Sequence, residues 1–331
     1  MVKQTKNFLV QSLKILFSAG IIFWLIQSGK LNFNALQNLL NPGAIAVGLS
    51  MVLINVFFTS ERWRTLISSQ NLKVSAASTF KLSLIGLFFN FAMPGGVGGD
   101  VIKAYYFTRE NPGEKVIAVT SVLMDRVLGL FAMILLALVV MIYDIEHILK
   151  TPTLLTLMWF VAGLFITFVI ALTLIFSTHL YTRGTLKQVI EKMPLTDKFL
   201  KLYESMHLYG KDGKRFILVI ALSLISQISA IIFLIVAGHL AGFTDVPAKT
   251  YFLVAPLGFM ATAVPISPAG VGVGQAAFYF LFNIYTGQVS DVGPTAITAF
   301  QVGTFMVSLL GAFFYLRRKD RVQPSAIESN P

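Results

Sequence analysis

Asp100 and Lys103 follow a glycine-rich run, Pro94-Gly95-Gly96-Val97-Gly98-Gly99, and stand one helical turn apart. A glycine turn that opens a helix leaves free backbone N–H groups, which together hold an anion. A lysine one turn inside adds a point charge for a phosphate oxygen. The run lacks the spacing of a nucleotide-binding loop and of a dinucleotide fingerprint. A second glycine run, Pro268-Ala269-Gly270-Val271-Gly272-Val273-Gly274-Gln275, repeats the pattern Pro-x-Gly-Val-Gly, with Gln275 where the first has Val101. A third signal is the adjacent pair Asp125-Arg126 inside a long apolar stretch. The candidate ligand-binding residues are therefore Pro94, Gly95, Gly96, Gly98, Gly99, Asp100, Lys103, Asp125, Arg126, Pro268, Gly270, Gly272, Gly274 and Gln275. The competing reading gives the glycines a packing role only, letting helices approach closely; it explains Asp100 and Lys103 less well. Gln227 and Gln301 are polar residues in apolar helices, suited to a ligand or to a bond with a neighbouring helix.

The surroundings of these residues are those of a membrane protein. Hydrophobic residues make up 56% of the chain, charged residues only 12%, and mean hydropathy is +0.75. A soluble domain carries roughly 25% charged residues. A charge at the bilayer centre costs about 2.5–3.5 kcal/mol on insertion scales, so Asp125 and Arg126 must face a partner or a cavity. Neighbours on a helix point about 100° apart and cannot simply cover each other. Arg126 is expected to face the first glycine motif, paired with Asp100 or a ligand phosphate. A structural ion pair, or snorkelling to the interface, is the alternative.

Six apolar runs are long enough to span, given the need for about 20 residues of helix: Phe8–Gln27, Pro42–Ser60, Val116–Ile142, Leu154–Phe176, Phe216–Leu240 and Pro294–Leu316. Ser78–Phe107 and Tyr251–Tyr285 are each split by a glycine motif into halves too short to span. Each reads as a re-entrant helical hairpin, the alternative being a kinked full span. The fold class is all-α: a polytopic membrane protein of about six transmembrane helices plus two re-entrant hairpins. With the N-terminus cytoplasmic, every Lys and Arg but Lys30, Lys150, Lys249 and Arg126 falls inside, a strong positive-inside pattern that favours hairpins over kinked spans. The hairpins then dip in from opposite faces, and halves 42–142 and 216–316 form an inverted repeat, the architecture in which broken helices line a transport site. Chance competes as the source of so short a match. One integral membrane domain covers 1–320, with a cytoplasmic amphipathic or linker segment at 181–215 and a disordered tail at 321–331. Glu61-Arg62-Trp63-Arg64 reads as an interfacial end to the second span, with Trp63 its anchor.

Taken in order, Pro94–Lys103, Asp125-Arg126-Val127-Leu128-Gly129-Leu130 and Pro268–Gln275 resemble the lysylphosphatidylglycerol synthase transmembrane family, the flippase-like domain in the membrane half of multiple peptide resistance factors. The resemblance covers roughly residues 8–318. It implies a lipid translocase that moves an anionic phospholipid or a lipid-linked head group between leaflets. The family pattern has a basic residue, usually Arg, where Lys103 stands, and often Glu where Gln275 stands. Lys keeps the charge but lacks the bidentate fork; Gln removes a proton or cation site, against a cation-coupled mechanism. In multi-domain relatives a soluble domain adds lysine to phosphatidylglycerol. The sequence through Pro331 leaves no stretch for it, so that activity is not expected here.

The remaining expectations are mostly exclusions. No hydrolase, kinase or transferase constellation is present, so the chain does not read as an enzyme, and no cofactor is implied. His147, His179, His207 and His239 have no ligand spacing and Cys is absent, so no metal site is implied. The net charge of +11 fits basic cytoplasmic loops rather than nucleic acid. The expected partners are a membrane phospholipid or lipid-linked substrate, together with a second copy of the chain in a homo-oligomer or a separate lipid-modifying enzyme. The expected location is the plasma membrane, with both termini cytoplasmic. An accessory subunit of a lipid-modifying enzyme and a secondary transporter of a small anion are the alternative functions.

Overall fold

The computed structural model describes residues 20–27, 33–93, 98–177, 196–264 and 266–318. All regular structure there is helical: α1 (20–27), α2 (Phe33–Asn38), α3 (Pro42–Ser69), α4 (Ala76–Ala92), α5 (Gly98–Glu110), α6 (Lys115–Tyr143), α7 (Ile145–Lys150), α8 (Pro152–Phe176), α9 (Thr196–Leu208), α10 (Gly213–Leu240), α11 (Ala248–Ala263), a 3₁₀ turn (Pro268–Gly270), α12 (Val273–Thr286) and α13 (Val292–Arg317). Local chemistry sets several starts. Asn41 caps α3 by accepting from Ala44 N at 2.8 Å, Ser75 caps α4 through Ser78 N at 3.1 Å, and Asp212 caps α10 through Arg215 N at 3.1 Å. Pro42 and Pro152 occupy first-turn positions, where no N–H is needed.

Five helices, α3, α6, α8, α10 and α13, run 25 to 29 residues and are apolar enough to cross a membrane. At about 1.5 Å per residue each exceeds the ~30 Å hydrocarbon layer. They correspond to five of the six expected spans; the sixth, Phe8–Gln27, lies mostly outside the described residues, and only 20–27 is seen, as helix. The expected end of the second span is corrected. The α3 helix does not stop at Ser60 but continues to Ser69. It carries Arg62 and Trp63 into the protein at 6% and 0% exposure, so Trp63 is not an interfacial anchor. The physical reason is a partner for Arg62 on another helix, which the local sequence does not reveal.

Helices α4 and α5, and α11 and α12, form two pairs, each packed together and each joined through a glycine motif. With 17, 13, 16 and 14 residues these helices are too short to span alone. Packing is the same when the halves are exchanged: α4 lies on α13 as α11 lies on α6, α3 packs on α4 as α10 packs on α11, and α3 and α10 pack on each other.

Hydrogen bonds fix which ends lie together. The start of α4 meets the end of α5 through Ser78 Oγ, which donates to Glu110 at 2.8 Å, and Arg318 beyond α13 donates to the same carboxylate at 2.9 Å. Arg215 at the start of α10 reaches the end of α3 at Ser68 O, 2.5 Å away. At the far end of α6, Asp144 accepts from Lys249 at the start of α11 at 3.2 Å, and from Tyr285 at the end of α12. Each helix pair thus starts and finishes at the same end of the bundle, and the two pairs do so at opposite ends. Arg109, Lys115, Lys211, Lys214, Arg215, Arg317 and Arg318 lie at the first end, Lys150 and Lys249 at the second.

Of segment 181–215 only the part from Thr196 is described. There α9 turns its inner face onto protein. Gln70 Nε2 donates to Ser205 O at 2.7 Å, the Thr120 and Ser205 hydroxyls lie 2.8 Å apart, and Tyr203 and His207 are buried. The helix therefore packs on α6 and α8. Tail 321–331 lies outside the described residues.

Candidate functional site

The first glycine motif brings α5 hard against α4. A Cβ on Gly99 would overlap the carbonyl oxygen of Gly86 and lie 2.6 Å from Asn90 Oδ1, while the Gly99 N–H donates to that same Asn90 oxygen at 3.0 Å. Only glycine allows this approach. A Cβ on Gly98 would run into the Met93 side chain. The packing role proposed for these two glycines is thus visible directly. Pro94, Gly95 and Gly96 lie outside the described residues.

Close packing of α5 on α4 positions the charges that follow. Asp100, in the first turn of α5, pairs with Nε of Arg126 on α6. Lys103, one turn further and 9% exposed, crosses Gly86, whose lack of a side chain makes room for the lysine stem. Its ammonium stands 3.7 Å from Asp125 Oδ2 and 4.3 Å above the Trp63 ring, within cation–π range. Asp125 accepts from Arg62 Nε at 2.7 Å, and Arg62 Nη1 lies 3.5 Å from Ser223 Oγ on α10. Gly129, one turn after Asp125, leaves space for the guanidinium: a Cβ there would sit 3.1 Å from Arg62 Nη1. Three cations and two carboxylates thus share one buried cluster built from α3, α5 and α6. Burying charges is costly unless they are paired with good geometry, and both carboxylates here are.

The cluster opens on a cavity of about 400 Å³ at the centre of the bundle. Arg62, Asp125 and Arg126 contribute to its wall; Lys103 and Asp100 do not line it but stand against the residues that do. The Arg126 side chain is 36% exposed, the most open of the five charges. Asn90 and Phe91, near the end of α4, line one side; Thr262, Ala263 and Ala269, around the second glycine motif, line another. The end of α4 and the second glycine turn therefore face one shared space. The rest of the wall mixes polar side chains, Asn55, Thr59, Ser226, Gln227, Gln301 and Thr304, with apolar ones such as Leu87, Leu130, Met133, Phe259 and Phe300. Asn55 Nδ2 also donates to Ser226 O at 2.7 Å, tying α3 to α10.

At the second motif the backbone makes a tight excursion. Ala269, Gly270 and Gly272 have φ of 48°, 73° and 84°, a region that suits glycine and strains alanine. A Cβ on Gly270 would lie 2.6 Å from Thr262 Cβ, and one on Gly274 2.9 Å from Thr262 Cγ2. Pro268 opens the 3₁₀ turn. Gln275 holds the motif shut. Its Oε1 accepts from Gly272 N at 2.7 Å, and its Nε2 donates to Gln301 Oε1 at 2.7 Å and Thr298 Oγ1 at 3.1 Å. Gln275 is buried and does not line the cavity; Gln301 does, and it also reaches Ala269 O at 3.4 Å.

Among the described residues no group of three His, Asp or Glu could hold a metal. Sequence reasoning passed over Arg62, Asn55 and Asn90 as site residues. A signal for two of them was present: Asn55, Thr59 and Arg62 recur at spacings of four and three, a polar stripe on one helix face. It is hidden when the span is ended at Ser60.

A family model described as the lysylphosphatidylglycerol synthase TM region matches residues 11–311. No curated protein and no solved structure matches the chain.

Proposed function

The chain belongs to the family of lysylphosphatidylglycerol synthase transmembrane regions, and on that premise we propose that it is a lipid translocase, its central cavity taking the charged head group of an anionic phospholipid or a lipid-linked head group. One observation carries this reading. A buried cluster with more cations than carboxylates opens on a cavity of mixed polar and apolar lining between two glycine-turned helix pairs that start from opposite ends of the bundle. A head group reaching the cavity from either leaflet meets Arg126 and the amides and hydroxyls around it, while the acyl chains stay among apolar helix faces. Movement of one half against the other would expose the cavity to each side in turn. In this reading the α4–α5 and α11–α12 pairs are re-entrant. The basic end of the bundle is cytoplasmic by the positive-inside rule, in a plasma membrane.

The test is leaflet exchange of a fluorescent anionic phospholipid in liposomes. Arg126→Ala, made together with Asp100→Asn so that no buried carboxylate is left stranded, should lose exchange. Wild-type rates from that variant would remove the site.

A further inference from the structure

We infer that the cavity selects a head group with one negative charge and no ammonium, a phosphodiester bearing neutral hydroxyls, and disfavours an aminoacylated, net-positive phospholipid. This rests on the reading of the cavity as a head-group site. Among the described residues Arg62, Lys103 and Arg126 face Asp100 and Asp125, three cations to two carboxylates, a surplus of one positive charge. A net charge held inside the protein is costly, so the site gains most from a ligand that brings the total to zero. One phosphodiester does so. A lysyl ester on the same phospholipid adds two ammonium groups, and the bound total would rise instead of falling.

The wall gives an ammonium no carboxylate of its own to pair with. Among the described residues Asp125 is the only carboxylate lining the cavity, and it already lies against Arg62 and Lys103. The other polar groups, such as Asn90, Gln227 and Thr304, suit neutral hydroxyls. Lys103 sets the charge count without touching the ligand, because it meets Asp125 and the Trp63 ring and stays out of the wall. It is a positioning residue, and its removal should alter selection by charge rather than binding in general.

The experiment is competitive retention of lipids on the purified protein, read by native mass spectrometry, with parallel exchange in liposomes. The probes are phosphatidylglycerol, lysylphosphatidylglycerol and a water-soluble glycerophosphodiester. Phosphatidylglycerol should be retained over the lysyl lipid by at least about tenfold, since one surplus charge within several ångströms decides the difference. Lys103→Gln should bring the two lipids toward parity and Lys103→Arg should keep the preference. If Lys103→Gln does not purify, Lys103→Met, which keeps the stem over Gly86 and against the Trp63 ring, serves the same purpose. Equal retention by the native protein, or an unchanged preference in the neutral variant, overturns the inference. If no lipid exchanges but the preference stands, translocation falls and charge selection survives. If both lipids exchange equally, selection falls and translocation survives. A soluble diester competing as well as phosphatidylglycerol would overturn the assignment to a lipid.

Discussion

Arg62 Nε lies 2.7 Å from Asp125 Oδ1, across 63 positions of sequence and between α3 and α6. The pair is asymmetric, because Asp125 has a second cation in Lys103 at 3.7 Å. Breaking a buried pair from one side typically costs about 3–5 kcal/mol, mostly for the charge left alone. Asp125→Asn strands two cations and should lose stability in that range. Arg62→Gln leaves Asp125 with Lys103 and should cost less than half as much. Thermal unfolding in detergent compares them; equal losses would show that Lys103 does not share the carboxylate.

Gly99→Ala should destabilise strongly, since its Cβ would overlap the Gly86 carbonyl, which is backbone and cannot swing away. Gly163 in α8 has nothing within 4 Å of the added carbon. Gly163→Ala should be neutral, or stabilising by up to about 1 kcal/mol through helix propensity. The same detergent melting reads both; matching shifts would contradict the close approach of α5 to α4.

Gln275→Leu removes the acceptor for Gly272 N and the donor to Gln301 and Thr298. Orphaned buried polar groups cost roughly 1–3 kcal/mol, and here the loss falls on the second turn. A cysteine placed at Ala269 should label faster in that background. The natural chain has no cysteine to interfere. An unchanged labelling rate would mean that Gln275 does not hold the turn.

Cysteines at Glu110 and Gly287 should label from opposite faces of an intact membrane. Glu110 bonds to Arg318 at the basic end of the bundle, whereas Gly287 caps α12 beside Tyr285, which meets Asp144 at the other. Labelling of both from one face would end the opposed arrangement of the two helix pairs.

Asp144 ties α11 and α12 to the end of α6. Burial pushes its carboxyl up, but hydrogen bonds from Tyr285 and Lys249 and the Lys249 charge outweigh this and hold it below the ordinary 3.8. A lowered folded-state value means that the contribution is fully present above about 3.9, the unfolded value, and is lost as pH falls through the folded one. Stability of the native protein should therefore fall on acidification below about pH 4 more than that of Asp144→Asn. Parallel melting curves for the two would refute this.

Much of the architecture is legible in the chain itself because lipid imposes a simple rule: an apolar run of sufficient length is a helix, and a proline–glycine break interrupts it. That rule gives α6, α8, α10 and α13 closely, and it marks both glycine turns. It also singles out Asp100, Lys103, Asp125 and Arg126, since charges among apolar residues need a reason. It fails at Arg62 and Trp63, because local composition looks the same at an interface and in a buried cluster. What separates the two cases is Asp125, on a helix that only tertiary packing brings within reach. The same holds for the glutamines: Gln275 closes its own turn while Gln301 lines the cavity, a division set by which neighbour each can reach. Sequence by itself determined that this is a helical membrane protein with two broken helical regions and a few charges held inside. The partners of those charges, and the cavity they share, were decided by close packing, where distances of a few ångströms between remote segments fix which pairs form.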